Sequence, residues 1–133
     1  MPLARISLKR GKPADYRQRV AQAVHRALVD TFDVPPDDRF QLVTEHDADG
    51  FVYDRHYLGI ERSDALVVVE LTVAFGRTLD QKRALFRRIA DNLAEAVGLR
   101  PQDALIALVE TARVNWSFGN GVASYAPAET ATA

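Results

Sequence analysis

The sequence contains no cysteine, and that absence removes disulfides, thiol nucleophiles and cysteine-based metal sites together. An excess of charge is also missing, since 17 lysines and arginines stand against 18 acidic residues for a formal net charge of −1. Such a balance gives no global attraction to nucleic acid or to an anionic membrane. The N-terminus has no apolar run of the signal-peptide kind, and no apolar stretch approaches spanning length. A soluble, cytoplasmic protein is expected. Of the three histidines, His25 falls mid-helix, where a packed or surface role is the ordinary one, and His46 and His56 lie in a polar bridge. None forms a His-x-x-x-His pair, so no metal and no cofactor are implied. There is no Ser-His-Asp arrangement, and "GNG" at 119–121 is too short to cradle phosphate.

What is present is a weak internal repeat. With "GKPADYRQRV" laid over "GRTLDQKRAL", Gly11 meets Gly76, Asp15 meets Asp80 and Val20 meets Leu85. The same offset carries Val24 onto Ile89, Leu28 onto Leu93 and Phe32 onto Val97. Further on, Pro36 falls on Pro101, Asp38 on Asp103 and Glu45 on Glu110, with no gap needed. A length of 133 residues suits one domain, expected over residues 1–125 with units at about 2–45 and 66–111. The tail "APAETATA" at 126–133 reads as disordered.

Each unit reads strand, helix, strand. Residues 2–8 suit a first strand, and Val20, Val24, Leu28 and Phe32 recur at helical spacing in a helix from about Pro13 to Phe32. "FQLVTE" follows as a strand. In the second unit "ALVVVELTVAF" is the strand, and Thr78 with Gln81 forms a capping box opening a helix that reaches Val97 and stops at Gly98. "ALIALVE" is the last long strand. The bridge "HDADGFVYDRHYLGIERSD" is polar and turn-rich, with "FVYD" a candidate short strand. Asn120-Gly121 signals a C-terminal hairpin.

Right-handed crossovers make the two strands of each unit parallel. The expected fold is therefore α+β, a four-stranded mixed sheet with both helices on one face. Leu105, Ala107 and Val109 point one way along "ALIALVE" while Ile106 and Leu108 point the other. Two helices cover one face only, so the other needs partner subunits.

Pro2 opens the first strand, directly behind Met1. Proline is admitted as the first residue of a strand, which is one reading. The other is chemical. Once Met1 is removed, Pro2 carries a secondary α-amine with an unperturbed pKa of roughly 7.7–8.0. An apolar site disfavours the charged form of such an amine. Neutral, it takes a proton from carbon beside a carbonyl; protonated, it polarises a carbonyl or returns the proton.

The motifs "MPL" at 1–3, "VPPDDRFQ" at 34–41, "LGIERSD" at 58–64, "GRTLDQKR" at 76–83 and "NWSFGNG" at 115–121 occur in this order across nearly the whole chain. Together the chain resembles the tautomerase superfamily, and within it the malonate semialdehyde decarboxylase-like branch. The resemblance implies a homotrimer with its sheets packed inside and a site near each N-terminal proline. It implies that Pro2 is the catalytic amine and that Asp38 matches the acidic residue assisting the decarboxylases. Arg77 matches the second arginine of an Arg-x-Arg pair that holds the substrate carboxylate, and Trp116 and Phe118 match an apolar wall. One departure stands out, because "FGR" puts Phe75 where the decarboxylases carry the other arginine.

Ordinary alternatives accompany each assignment. Arg77 is also placed as a solvated helix-flanking arginine, although a carboxylate beside the Thr78 cap would meet both guanidinium and helix N–H groups. Asp38 is equally suited to charge a turn, with Arg39 as an ion-pair partner. Trp116 and Phe118 alternate as ordinary packing requires, and Tyr53 and Tyr57 are candidates for the site entrance. The reading that joins these is a tautomerase-like enzyme moving a proton between keto and enol forms of a small carboxylate. The alternatives are decarboxylation or hydration of a 3-oxo or unsaturated acid such as malonate semialdehyde, with Asp38 recruited, and a non-catalytic trimer that binds a ligand.

Overall fold

A computed structural model describes residues 1–127; of the expected tail, residues 128–133 lie outside the described residues. The elements are β1 (Pro2–Lys9), α1 (Ala14–Phe32), β2 (Gln41–His46), β3 (Val67–Ala74), α2 (Leu79–Val97) and β4 (Ala104–Thr111). The strands lie in the order β2-β1-β3-β4, with β1 parallel to β2, β3 parallel to β4, and β1 antiparallel to β3. This is the expected mixed sheet, and short 3₁₀ turns fill part of the connections.

The repeat is built into the register. Ala4 pairs with Gln41 in the first unit, and its counterpart Val69 pairs with Ile106 in the second. At the centre the register turns back on itself: Ala4 faces Leu71, Ile6 faces Val69, and Arg5 faces Glu70. These pairings describe an internal twofold passing between Arg5 and Glu70. Gly11 and Gly76 share the same unusual backbone, with φ of 122° and 128°. Both helices end on a left-handed residue, Asp33 in α1 and Gly98 in α2. Their starts differ. Thr78 and Gln81 form the reciprocal capping box expected for α2, while Pro13 gives α1 no side-chain cap.

The core lies between the helices and one sheet face. Ile6 and Leu8 of β1, Val67, Val69 and Leu71 of β3, and Val24, Leu28, Leu85, Ile89 and Leu93 of the helices are buried there. The other face stays open within the chain. It presents Leu3, Arg5 and Ser7 from β1, Val68, Glu70 and Thr72 from β3, and Leu105, Ala107 and Val109 from β4. Leu105 and Val109 are 40% and 44% exposed, so the face carries solvent-facing apolar area around its central Arg5 and Glu70.

Two local expectations change. Residues 51–54, the "FVYD" stretch, form no strand; Phe51 and Tyr53 pack edge to face, and Tyr53 Oη donates to the Ser63 carbonyl at 2.5 Å. The C-terminal hairpin keeps its turn and loses its strands. Asn120 and Gly121 both have positive φ, as a two-residue hairpin turn requires, and Val122 N–H approaches the Gly119 carbonyl at 3.5 Å. Beyond that turn the closure is Ser124 N–H to the Trp116 carbonyl and Phe118 N–H to Ser124 Oγ. The segment is a loop closed on itself because a serine side chain takes one of the ladder bonds.

Candidate active site

The sheet order brings one end of all four strands together: the starts of β1 and β2 and the finishes of β3 and β4. Pro2, Asp38, Arg77 and Trp116 lie at or just beyond those strand ends, and Phe118 follows in the loop after β4. Pro2 is buried as the first residue of β1, opposite Val73, a position on a central strand that proline tolerates only because it comes first.

Asp38 sits in the turn between α1 and β2, where its N–H donates to the Pro35 carbonyl at 3.0 Å. This turn is pinned from below. His25 is buried on α1, and its Nε2 donates to the Pro36 carbonyl across 2.8 Å, which fixes that ring nitrogen as the protonated one. Arg39 does not pair with Asp38 as expected. Its guanidinium donates to the side-chain oxygens of Gln41 and Gln22, so it ties β2 to α1 and turns away from its neighbour. The Asp38 carboxylate is left for the chain's own N-terminus and ion-pairs with the Met1 ammonium.

That amine is unusual. Met1 is only 8% exposed, and burial, followed by the positive charges of Arg77 and Arg113, pushes its ammonium pKa down from 8.0 to about 6. The Asp38 carboxylate favours the charged form, but desolvation and two guanidiniums set the direction.

Arg77 leaves the sheet through the Gly76 turn, whose φ of 128° a side chain rarely adopts. Its Nη2 donates to the Phe32 carbonyl at 3.1 Å, and its guanidinium lies 4.9 Å from the Phe32 ring centre. A cation at the last carbonyls of α1 also suits the helix dipole. Arg77 is therefore half-buried and anchored, and the bond to Phe32 uses only part of its donor set. Burial and the charge of Arg113 lower its pKa, against the opposing pull of Asp33 and Tyr125.

The aromatic residues form one wall. The Trp116 indole N–H donates to Thr111 Oγ1 at 2.7 Å, locking the ring to the end of β4. Trp116 and Phe118 stack at 5.5 Å and 12°, Phe118 meets Tyr125 edge-on, and Phe40 lies 5.6 Å from Phe118. Phe118, Tyr125 and Phe40 remain partly exposed at 37%, 41% and 49%, so the wall has an unfilled side.

Two residues lie elsewhere. Tyr53 is at the far end of the sheet, beneath Lys9 Nζ, which is 5.1 Å from its ring centre. Tyr57 is exposed in a 3₁₀ turn of the bridge. Grooves of about 510 and 790 Å³ run along α1, against α2 and against β2, and neither is lined by Pro2, Asp38, Arg77, Trp116 or Phe118. Converging chemistry, rather than concavity, marks this site.

Sequence reasoning missed Arg113. It falls opposite Ala48 in the repeat and belongs to none of the motifs. Only the parallel pairing of Ala74 with Thr111 brings the residues after β4 beside those after β3.

Two family models, each described as a tautomerase enzyme, match residues 38–119 and residues 2–61. The chain belongs to the tautomerase superfamily. It is 36% identical to the probable tautomerase YusQ of Bacillus subtilis (strain 168), over 91% of this chain and 95% of that one. Among solved structures, this tautomerase chain superposes on FG41 malonate semialdehyde decarboxylase inhibited by 3-bromopropiolate with a TM-score of 0.87 and 37% identity, covering 92% and 93% of the two chains. A second malonate semialdehyde decarboxylase, whose structure is described as a basis for decarboxylase and hydratase activities, gives 0.85 and 33%, covering 92% and 94%. The tautomerase fold, a β-α-β unit used twice, is thus both the architecture seen here and that of its relatives.

Proposed function

We propose that the protein is a cofactor-independent enzyme that moves a proton between the keto and enol forms of a small carboxylate, using the amine of Pro2 after Met1 is removed. The observation that carries the reading is the setting at the start of β1, where the Met1 amine, one residue ahead of Pro2, is desolvated and lowered to about 6 beside Asp38, Arg77 and Arg113. An amine with its pKa near the working pH is a competent proton donor and acceptor. In the direction of ketonisation, the Pro2 ammonium gives its proton to the enol carbon as the carbonyl forms, and the enol O–H proton returns to the amine through solvent. Arg77 holds the substrate carboxylate, while Trp116 and Phe118 exclude water from its apolar side. Asp38, in reach of the amine, keeps part of it protonated. Three copies close around the open sheet face, and the protein is expected to sediment as a trimer at micromolar concentration. A stable monomer there would refute that assembly.

Decarboxylation or hydration of a 3-oxo acid is the second reading. The contact between Asp38 and the terminal amine supports it, because a carboxylate there can orient water or a carbonyl as well as balance charge. It is supported too by the likeness to two malonate semialdehyde decarboxylases.

The test is turnover of an enolised arylpyruvate and of malonate semialdehyde by processed protein and by Pro2→Ala. The substitution keeps an amine but makes it primary and looser. Ketonisation is expected to fall by roughly 10²–10⁴. An unchanged rate would reduce Pro2 to a strand start, and malonate semialdehyde turnover far exceeding ketonisation would promote the second reading.

A further inference from the structure

With Phe75 in place of a second arginine, Arg77 is the cation of the connection between β3 and α2, yet the site contains another guanidinium from a different strand. The ladder between β3 and β4 runs one residue past their ends, since Phe75 N–H donates to the Thr111 carbonyl at 3.0 Å. Chain beyond Thr111 is thereby fixed beside chain beyond Ala74. A 3₁₀ turn over Arg113–Asn115 then reverses direction at once, with Asn115 N–H on the Ala112 carbonyl and Trp116 N–H on the Arg113 carbonyl. That turn holds Arg113 at the strand end instead of letting it run off into solvent. Its guanidinium lies 5.9 Å from the Tyr125 ring centre, and Tyr125 in turn meets Phe118 edge-on, so Arg113 is tied to the wall that contains Trp116.

We infer that Arg113 is a substrate-binding residue that supplies, from the end of β4, the second guanidinium for a small planar carboxylate. The inference rests on the proton-transfer reading for the identity of the site, and on its own geometry for the anchor. Among the described residues no acidic side chain is ion-paired with either Arg77 or Arg113, while Asp38 is already engaged by the amine. Arg113 acts on both of the other cations, lowering the pKa of the terminal amine and of Arg77. Two neighbouring guanidiniums with no ion pair of their own cost free energy that an incoming carboxylate relieves. Two guanidiniums on separate strands also grip such a group from two directions, unlike a paired Arg-x-Arg on one strand. Phe75 is 58% exposed and replaces charge with apolar surface, so the carboxylate is drawn toward β4.

The chain has one tryptophan, and its indole N–H resonance reports on this site alone. Crotonate and its neutral amide, crotonamide, would be titrated against that signal in processed wild type, Arg113→Ala and Arg113→Lys. Arg113 is exposed, so neither substitution disturbs the core. Arg113→Ala is expected to weaken crotonate by about tenfold to a hundredfold, the usual worth of a charge-assisted hydrogen bond. Crotonamide should be unaffected, and Arg113→Lys should recover part of the loss. Equal crotonate affinity in wild type and Arg113→Ala overturns the assignment, as does equal weakening of acid and amide, or no preference for the acid in the wild type. Failure of the underlying reading looks different. Charge-dependent crotonate binding that needs Arg113, in a protein inactive on enols, keeps the anchor and removes the proton transfer. Enol turnover lost in Pro2→Ala but indifferent to Arg113 in both titrations does the reverse.

Discussion

The end of the sheet that gathers Pro2, Asp38 and Arg77 and the end that gathers Lys12, Ser63 and Asp103 are related by the internal twofold, yet their carboxylates meet different partners. Asp103, the repeat counterpart of Asp38, is 1% exposed and accepts from Ser63 N–H and Oγ at 2.7 Å each and from Arg100 Nε at 3.1 Å. Burial raises its pKa, but those hydrogen bonds outweigh it and hold the carboxyl below its ordinary range. Nearby, Asp64 is shared by Lys9 and Arg55. There the two aspartates are paired within the chain, and Lys12 lies over the Tyr16 ring. At the other end Asp38 has the terminal amine, and among the described residues neither Arg77 nor Arg113 is ion-paired with an acid. Repeated backbone thus supports a staple in one place and, in the proposed function, a reactive site in the other, and the difference lies in whether the chain satisfies its own polar groups.

The widest gap between the ends should appear on titration. In unprocessed protein the Met1 α-amine should react with an alkylating reagent along a curve whose midpoint lies near pH 6, well below the usual range near 8. It is neutral and reactive above that midpoint and protonated below it, so at pH 7 its reactivity should exceed that of an unperturbed amine about tenfold. Arg77→Ala removes one lowering charge and should move the midpoint up; no movement would detach the amine from Arg77.

A matched pair of substitutions sharpens the contrast. Asp103→Asn should lower stability by about 1–3 kcal/mol, since a buried acceptor of three hydrogen bonds loses part of its set, with little change in turnover. Asp38→Asn should do the opposite, leaving the denaturation midpoint nearly unchanged while turnover falls. Equal stability losses in both would show that the two ends do the same work.

The smallest effect concerns the helix starts. Thr78→Ala should cost about 1 kcal/mol, the typical worth of an N-cap, measured by urea unfolding. The first unit offers no corresponding loss, because Pro13 makes no side-chain cap.

Sequence periodicity located every strand and helix to within about a residue or two, because the pattern at 20, 24, 28 and 32 recurs at 85, 89, 93 and 97 and each copy checks the other. The non-repeated segments were harder. "FVYD" has strand-like composition, but in the fold Tyr53 is drawn to the Ser63 carbonyl and the stretch pairs with no strand. His25 looked like a packing residue, and its bond to Pro36, which steadies the turn carrying Asp38, is invisible without the 11-residue chain separation being closed in space. Arg113 escaped for the same reason, since its neighbours come from another strand. Pro2, Asp38, Arg77 and the aromatic pair stood out because they belong to motifs, and the fold gathers them at one end of the sheet; their partners did not, because partners are set by pairing.

Met1 is the counterpart of Leu66 under the same offset, and both are buried, at 8% and 1%. At the far end Leu66 plugs the core for good. At the near end a methionine does so, and the proposed proton transfer requires that it leave before Pro2 can act. Aminopeptidase removal would empty a side-chain-sized space beside Asp38 and create the free amine in the same cut. Once β1 is flanked by β2 and β3, little of that methionine is within reach of a peptidase. Under the proposed function, maturation would therefore belong to the ribosome's timescale, while the N-terminus is still extended and the second unit, which must supply β3, has yet to emerge.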